Sequence, residues 1–118
     1  MSSHMAAEFV NHYLHPTSKA LPALALNDSA NLTAIANDRG YEYVFSRQVE
    51  ALSKKNDILI ALSTSGKSKN ILNAIKQAKK QQVIVIDFPR KGISTGKIQN
   101  YQLQLMHEVC EFVEQEFI

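Results

Sequence analysis

The 118-residue sequence predicts an α/β fold, a three-layer αβα sandwich with a parallel sheet at its centre. Apolar runs of strand length alternate along the chain with segments whose apolar residues recur at helical spacing. One such run, residues 57–63, continues directly into a hydroxyl-rich turn and then into a helical pattern. Since strands that alternate with helices form parallel sheets covered on both faces, this order predicts the sandwich.

The predicted elements follow from local patterns along the chain. Residues 4–14 carry apolar side chains at helical spacing, and Pro16 ends that pattern. The short apolar run 21–26 predicts a strand, which a turn signal closes. The remaining predicted elements are helices at 29–36 and 43–52, a strand at 57–63, a helix from about Lys69, a strand at 82–88 and a helix at 97–117.

Composition narrows the class of protein. A chain of 118 residues makes one domain at most, and 45% hydrophobic with 20% charged residues indicates an ordinary globular protein. A net charge of +2 gives no reason to expect a nucleic-acid partner. The single cysteine, Cys110, excludes an internal disulfide, and its apolar helical setting predicts core packing in a reducing compartment. No run reaches the roughly 18 apolar residues of a membrane span, so we expect a cytoplasmic protein with no membrane partner.

The hydroxyl-rich turn Ser63-Thr64-Ser65-Gly66-Lys67-Ser68 is a candidate phosphate-binding loop. At the carboxyl end of a parallel strand, backbone N–H groups and the positive end of the next helix dipole converge on an anion. The alternative is that Ser68 only caps the following helix, which needs one hydroxyl rather than four. The turn lacks the spacing of a nucleotide P-loop, which favours a phosphorylated metabolite as the ligand.

Two pairs of side chains are candidates for chemistry. His4 and Glu8 are four residues apart on the first helix, so they share a face and could ligate a metal or divide an acid–base task. Such a pair more often lies in solvent. Gln99 and His107 lie on the last helix, where His107 flanks an apolar stripe at a packed or intersubunit edge. A histidine in that setting is more often a satisfied core residue.

Segments along nearly the whole chain resemble the sugar isomerase (SIS) domain proteins, and within them the sedoheptulose 7-phosphate isomerases. These segments are His4-Met-Ala-Ala-Glu8-Phe, residues 32–38, Phe45-Ser46-Arg47-Gln48-Val49, the loop 63–68, Ile98-Gln99 with His107, and Val113-Glu114-Gln115-Glu116. The resemblance implies a flavodoxin-like SIS fold and one partial SIS domain over residues 1–118. It also implies that this chain lacks the family's first strand and an edge strand between Phe88 and Ile98.

The resemblance implies an isomerase that converts sedoheptulose 7-phosphate to D-glycero-D-manno-heptose 7-phosphate for bacterial heptose and lipopolysaccharide core biosynthesis. An aldose–ketose isomerisation needs a base and an acid on either side of an enediol. By this resemblance Glu8 is the base and His107 the acid. The phosphate ligands are Ser63, Thr64, Ser65 and Ser68, and the residues that orient the sugar hydroxyls are Asn37, Asp38 and Gln99.

The family also implies a zinc ion and an oligomer. The zinc ligands would be His4, Glu8, Gln99 and His107. Eight residues of helix separate the last two by about 12 Å, a long reach to one ion, which favours sites built from more than one chain. A homotetramer with sites between subunits agrees with that spacing, and the apolar row Leu105, Val109 and Phe112 is available for an interface.

A non-catalytic reading is the alternative, a SIS-type binding protein that associates with a replication initiator or senses a sugar phosphate. Relatives of the first kind tend to lack the family glutamate and histidine. Here Glu8 and His107 are both present, which favours the isomerase. A sugar-phosphate sensor would keep the hydroxyl loop without needing Glu8.

Overall fold

A computed structural model describes residues 1–117, which fold into two compact units. One unit contains residues 1–25 and the chain from Lys91 onward, and the other is Leu26–Arg90. The helices are α1 (Ser2–Val10), α2 (Ser29–Arg39), α3 (Ser46–Leu52), α4 (Lys69–Lys80) and α5 (Thr95–Gln115), with a short 3₁₀ turn at Tyr41–Tyr43. The strands are β1 (Ile58–Ala61) and β2 (Ile84–Asp87).

The unit Leu26–Arg90 is built around a parallel pair of strands. β1 and β2 pair in the register Ile58 to Ile84 through Ala61 to Asp87, and α4 connects them. Two parallel strands need a long crossover connection, and here the helix α4 provides it. A core cluster of the unit consists of Val49, Ala74, Ala78 and Val83, against which Leu26, Phe45, Leu59 and Val85 pack. The predicted α/β class with a parallel sheet is confirmed.

The predicted strand at 21–26 is wrong. These residues take no regular secondary structure, and the sheet of the described residues has two strands. Pro22 interrupts the apolar run, and a proline cannot donate a ladder hydrogen bond. The N–H of Leu21 donates instead to the carbonyl of Phe9, 2.9 Å away, which ties this segment to the end of α1.

The other unit packs α1 against the long helix α5. Its buried apolar side chains are Met5 on α1 and Met106 and Cys110 on α5. α5 begins two residues earlier than predicted because Ser94 caps it, accepting the N–H of Lys97 at 3.2 Å. None of the helices in the described part of the chain is both long and apolar enough to cross a membrane.

The first helix ends four residues sooner than its apolar pattern predicts. Beyond Val10, the N–H groups of Tyr13, Leu14 and His15 donate to the carboxylate of Glu114 on α5. A side chain thus takes the donors that a continued helix would direct to its own carbonyls. Local periodicity gave no sign of this, since the acceptor lies about 100 positions away in sequence.

Candidate active site

α1 and α5 bring three predicted site residues together. Suitable ligand atoms of His4, Glu8 and His107 all lie within 4.8 Å of one another. The i,i+4 spacing on α1 places His4 Nε2 2.8 Å from Glu8 Oε1, so the imidazole and carboxylate are hydrogen-bonded. The Glu8 side chain is 17% exposed and that of His4 is 50% exposed, so the cluster is open on one side.

The imidazole of His107 is held between two other rings. Tyr13 stacks on it with ring centroids 5.5 Å apart and an interplanar angle of 11°. His4 meets it edge-on, at 5.4 Å and 72°. His107 is therefore a partly buried histidine inside a cluster of functional groups rather than a core histidine, and its stacking partner is a residue that the sequence did not single out.

The donor set of this cluster suits a transition-metal ion. Two imidazole nitrogens and one carboxylate oxygen are ligands that zinc accepts, and three protein ligands with an open position are typical of catalytic zinc. The three donor atoms lie within 4.8 Å of one another, whereas two donors each about 2 Å from one ion are at most about 4 Å apart, so the side chains would have to move closer together to bind a metal. Gln99, the fourth predicted ligand, is exposed near the start of α5, eight residues before His107.

Cys110 lies one turn after His107 on α5 but takes no part in the cluster. The thiol is buried, as predicted, and its pKa is raised to about 11, first by burial and then by the carboxylates of Glu8 and Glu114. The reactive thiolate is therefore scarce at neutral pH.

We expect the native protein at pH 8 to react with an aromatic disulfide reagent far more slowly than the urea-unfolded chain, because the thiol is both buried and protonated. The released chromophore measures the rate. Equal rates for native and unfolded protein would contradict the buried position.

The loop after β1 contains the four predicted phosphate ligands. Ser63 Oγ accepts the N–H of Gly66 and Ser65 Oγ accepts the N–H of Lys67, both at 3.0 Å. The Ser65 and Ser68 hydroxyls are 3.4 Å apart, and Thr64, which precedes Ser65, is half-buried. These side chains shape the turn and place several hydroxyls on the strand-to-helix corner. No acidic residue occupies the first turn of α4, which favours an anion there.

The capping alternative for Ser68 is not supported. Ser68 does occupy the N-cap position of α4, but among the described residues its hydroxyl makes no capping hydrogen bond. The hydroxyl of Ser68 instead lies 3.4 Å from the hydroxyl of Ser65. The hydroxyl is therefore directed into the loop rather than used to complete the helix.

Arg90 adds a positive charge to this loop that the sequence interpretation missed. Gly66 has φ +70°, and a methyl group on it would lie 2.9 Å from Arg90 Cζ, so the guanidinium lies directly against the glycine. Nη2 donates to Asp87 Oδ1 at 2.9 Å, whereas the buried Nε has no hydrogen-bond partner among the described residues. Its place in the sequence could have indicated this role. Arg90 follows β2 and the hydroxyl loop follows β1, so both lie at the carboxyl edge of the parallel sheet.

Asn37 and Asp38 lie in the last turn of α2, which extends to Arg39 rather than ending at residue 36. Both side chains are exposed, and Asn37 Nδ2 donates to Asp38 Oδ1 at 3.0 Å. The pair presents an amide and a carboxylate, groups that can bind sugar hydroxyls.

Fold and site together define an α/β sugar isomerase domain, and the family model described as "SIS domain" matches residues 1–88. Curated relatives narrow the assignment. A phosphoheptose isomerase of Campylobacter concisus is 41% identical over 133 residues, covering 98% of this chain and 70% of that protein. One from Thermodesulfovibrio yellowstonii is 42% identical over 130 residues, covering 96% of this chain and 64% of that protein. The chain belongs to the phosphoheptose isomerase family.

Solved structures agree with this assignment. The phosphoheptose isomerase GmhA of Neisseria gonorrhoeae superposes with a TM-score of 0.88 at 31% identity, covering 97% of this chain and 69% of that one. A phosphoheptose isomerase of Francisella tularensis superposes with a TM-score of 0.83 at 29% identity, covering 96% and 69%. The resemblance inferred from sequence motifs is thereby confirmed.

Proposed function

We propose that this chain is an aldose–ketose isomerase that converts sedoheptulose 7-phosphate to D-glycero-D-manno-heptose 7-phosphate. The observation that carries the proposal is the meeting of Glu8, His4 and His107 within 4.8 Å, in a member of the phosphoheptose isomerase family. A non-catalytic binding protein would have no need of a carboxylate and imidazole brought together from two helices.

The chemistry assigns one proton-transfer task to each group. Glu8 removes the proton from the carbon beside the carbonyl and returns it to the neighbouring carbon, so that an enediol forms and collapses. His107 donates a proton to the carbonyl oxygen and later takes one back. Without a metal, the hydrogen bond from His4 holds the Glu8 carboxylate in place. A metal bound here would supply a Lewis acid that polarises the carbonyl.

The phosphate group of the substrate is assigned to the loop after β1. Ser63, Thr64, Ser65 and Ser68 supply hydroxyl donors, and the N-terminus of α4 supplies its dipole. The Arg90 guanidinium, lying against Gly66, adds the formal positive charge that hydroxyls lack. Asn37, Asp38 and Gln99 are proposed to orient the sugar hydroxyls, which their exposed polar side chains allow.

The test is an isomerase assay of the purified chain with sedoheptulose 7-phosphate, with and without added zinc. We expect formation of the aldose heptose 7-phosphate. Phosphate binding without turnover, in a sample whose circular dichroism shows it folded, would favour the sugar-phosphate sensor instead. Absence of both would favour the binding-protein alternative.

Zinc is the metal we propose, with His4, Glu8 and His107 as ligands and Gln99 as the fourth. We expect calorimetry to give about one zinc ion per site. Removing a group that only supports a metal ligand lowers metal affinity roughly 10–100-fold, so we expect His107→Ala, which removes a ligand itself, to lower zinc affinity by more than that. His15→Ala is the matched control, because its side chain is exposed outside the cluster. Equal zinc affinity in wild type and His107→Ala would contradict the ligand set.

The oligomer and cellular setting complete the proposal. A homotetramer with sites between subunits is supported by the exposed apolar surface of α5, where Phe112 is 71% exposed. Light scattering should give four times the mass of one chain, and a monomer at assay concentration would contradict the tetramer.

We place residues 1–118 in one partial SIS domain, which is supported by a family match that runs through both units. We also place the protein in cytoplasmic lipopolysaccharide heptose synthesis.

A further inference from the structure

Glu114 is a buried carboxylate with an unusual set of partners. Its side chain accepts three consecutive backbone N–H groups, from Tyr13, from Leu14 at 2.8 Å and from His15 at 2.7 Å. Burial raises the pKa of this carboxyl, but the three hydrogen bonds outweigh burial and leave the pKa below its usual range. Glu114 is therefore ionised at neutral pH, and it fixes the backbone that follows α1.

The fixed segment carries the ring that lies on His107. Tyr13 is the first of the three bonded residues, and its ring is nearly parallel to the imidazole, at 11° and 5.5 Å. His107 and Glu114 are seven residues apart on α5, two turns of one helix face. One helix therefore carries both the proposed acid and the carboxylate that places a ring against it.

The stack restricts how the imidazole can turn. A ring packed on one face and met edge-on by His4 has few orientations left about its terminal torsion, which is otherwise broad for histidine. Proton transfer needs a particular ring nitrogen at hydrogen-bond distance from the reacting oxygen. An imidazole that is free to rotate would spend less time in that orientation.

We propose that Tyr13 and Glu114 are positioning residues for His107, Tyr13 by direct ring stacking and Glu114 through the hydrogen bonds that hold Tyr13 in place. This inference rests on the proposed role of His107 as the acid. The contact with His107 is made by the faces of the two rings, so the phenol hydroxyl has no part in it. The aromatic ring is the functional feature.

Paired substitutions separate stacking from general packing. We expect Tyr13→Leu to lower kcat about tenfold or more with KM within about twofold, because the lost orientation affects proton transfer and not phosphate binding. Tyr13→Phe keeps the ring and should retain at least about half of kcat. Loss of activity in Tyr13→Phe equal to that in Tyr13→Leu, or an equal change of KM and kcat, would overturn the stacking role.

A second variant and a spectroscopic readout make the test independent of turnover. Glu114→Gln removes the charge from the three hydrogen bonds and should also lower kcat, whereas Glu116→Gln, at an exposed residue at the C-cap of α5, serves as control. Nuclear magnetic resonance of the His107 ring protons should show a ring-current shift in wild type and Tyr13→Phe that disappears in Tyr13→Leu. His107 resonances unchanged in Tyr13→Leu would overturn the proposal even if the chain showed no isomerase activity.

Discussion

Replacing Glu8 with glutamine is expected to lower kcat by about 10²- to 10⁴-fold, the range that a positioned general base contributes. The amide cannot accept the substrate proton, whereas its oxygen can still accept the hydrogen bond from His4. Folding should be nearly unaffected, with the free energy of unfolding within about 1 kcal/mol of wild type. Turnover by the coupled isomerase assay and thermal melting of the same samples measure the two quantities.

Glu50→Gln is the matched control for this prediction. Glu50 is an exposed carboxylate on α3 whose ion pair with Arg47 spans 3.6 Å, so its removal should change neither kcat nor stability appreciably. Turnover in Glu8→Gln within tenfold of wild type would remove Glu8 from the role of base. A melting temperature well below that of wild type, found together with the loss of turnover, would give Glu8 a structural role instead.

The double substitution Ser65→Ala with Ser68→Ala is expected to weaken phosphate binding by about ten- to a hundredfold, since each lost hydroxyl hydrogen bond costs about 0.5–1.5 kcal/mol. Ser65 Oγ accepts the N–H of Lys67 and lies 3.4 Å from Ser68 Oγ, so the contact between the two hydroxyls uses at most one of their two protons and leaves at least one for an anion. The effect should fall on KM and on the affinity for inorganic phosphate, and kcat should change little.

Inorganic phosphate measured by calorimetry tests the loop without relying on catalysis. Ser53→Ala, a substitution at the C-cap of α3, is the control outside the loop. A drop in kcat with unchanged KM would place these serines near the reacting carbons rather than at the phosphate. A uniform loss of thermal stability in this variant and in Glu8→Gln would contradict both assigned roles.

Sequence patterns were most informative where neighbouring residues determine the structure. The strands predicted at 57–63 and 82–88, with a helix between them, correspond to the observed parallel pair β1 and β2. They could be predicted because a βαβ unit is a local arrangement. The run at 21–26 misled because Pro22 outweighs hydrophobicity in deciding whether a segment can join a ladder. The end of α1 differs from the prediction because the distant Glu114 accepts the N–H groups that follow the helix, and the start of α5 differs because Ser94 caps it.

The parts of the site that sequence could not supply depend on contacts between distant residues. Glu8 and His107 were paired through family resemblance, because 99 positions separate them and spacing alone joins only His4 with Glu8. The residues next to Arg90 and Tyr13 in sequence do not indicate a function. Arg90 matters because the fold places it against Gly66, and Tyr13 matters because its ring stacks on His107. Likewise, the buried Gln102 and Glu114 occupy a helix face that periodicity predicted to be apolar.

The hydrogen bonds of Glu114 have a consequence for the order in which the protein assembles. They join residues 99 to 101 positions apart, so the backbone after the first helix has no native acceptor until the last helix has been synthesised and docked. Closing so large a loop is entropically costly, which makes this contact a late event in folding. Removal of the Glu114 carboxylate, for example by Glu114→Ala, would thus release the segment that follows α1, and hydrogen exchange at Leu14 and His15 would register it.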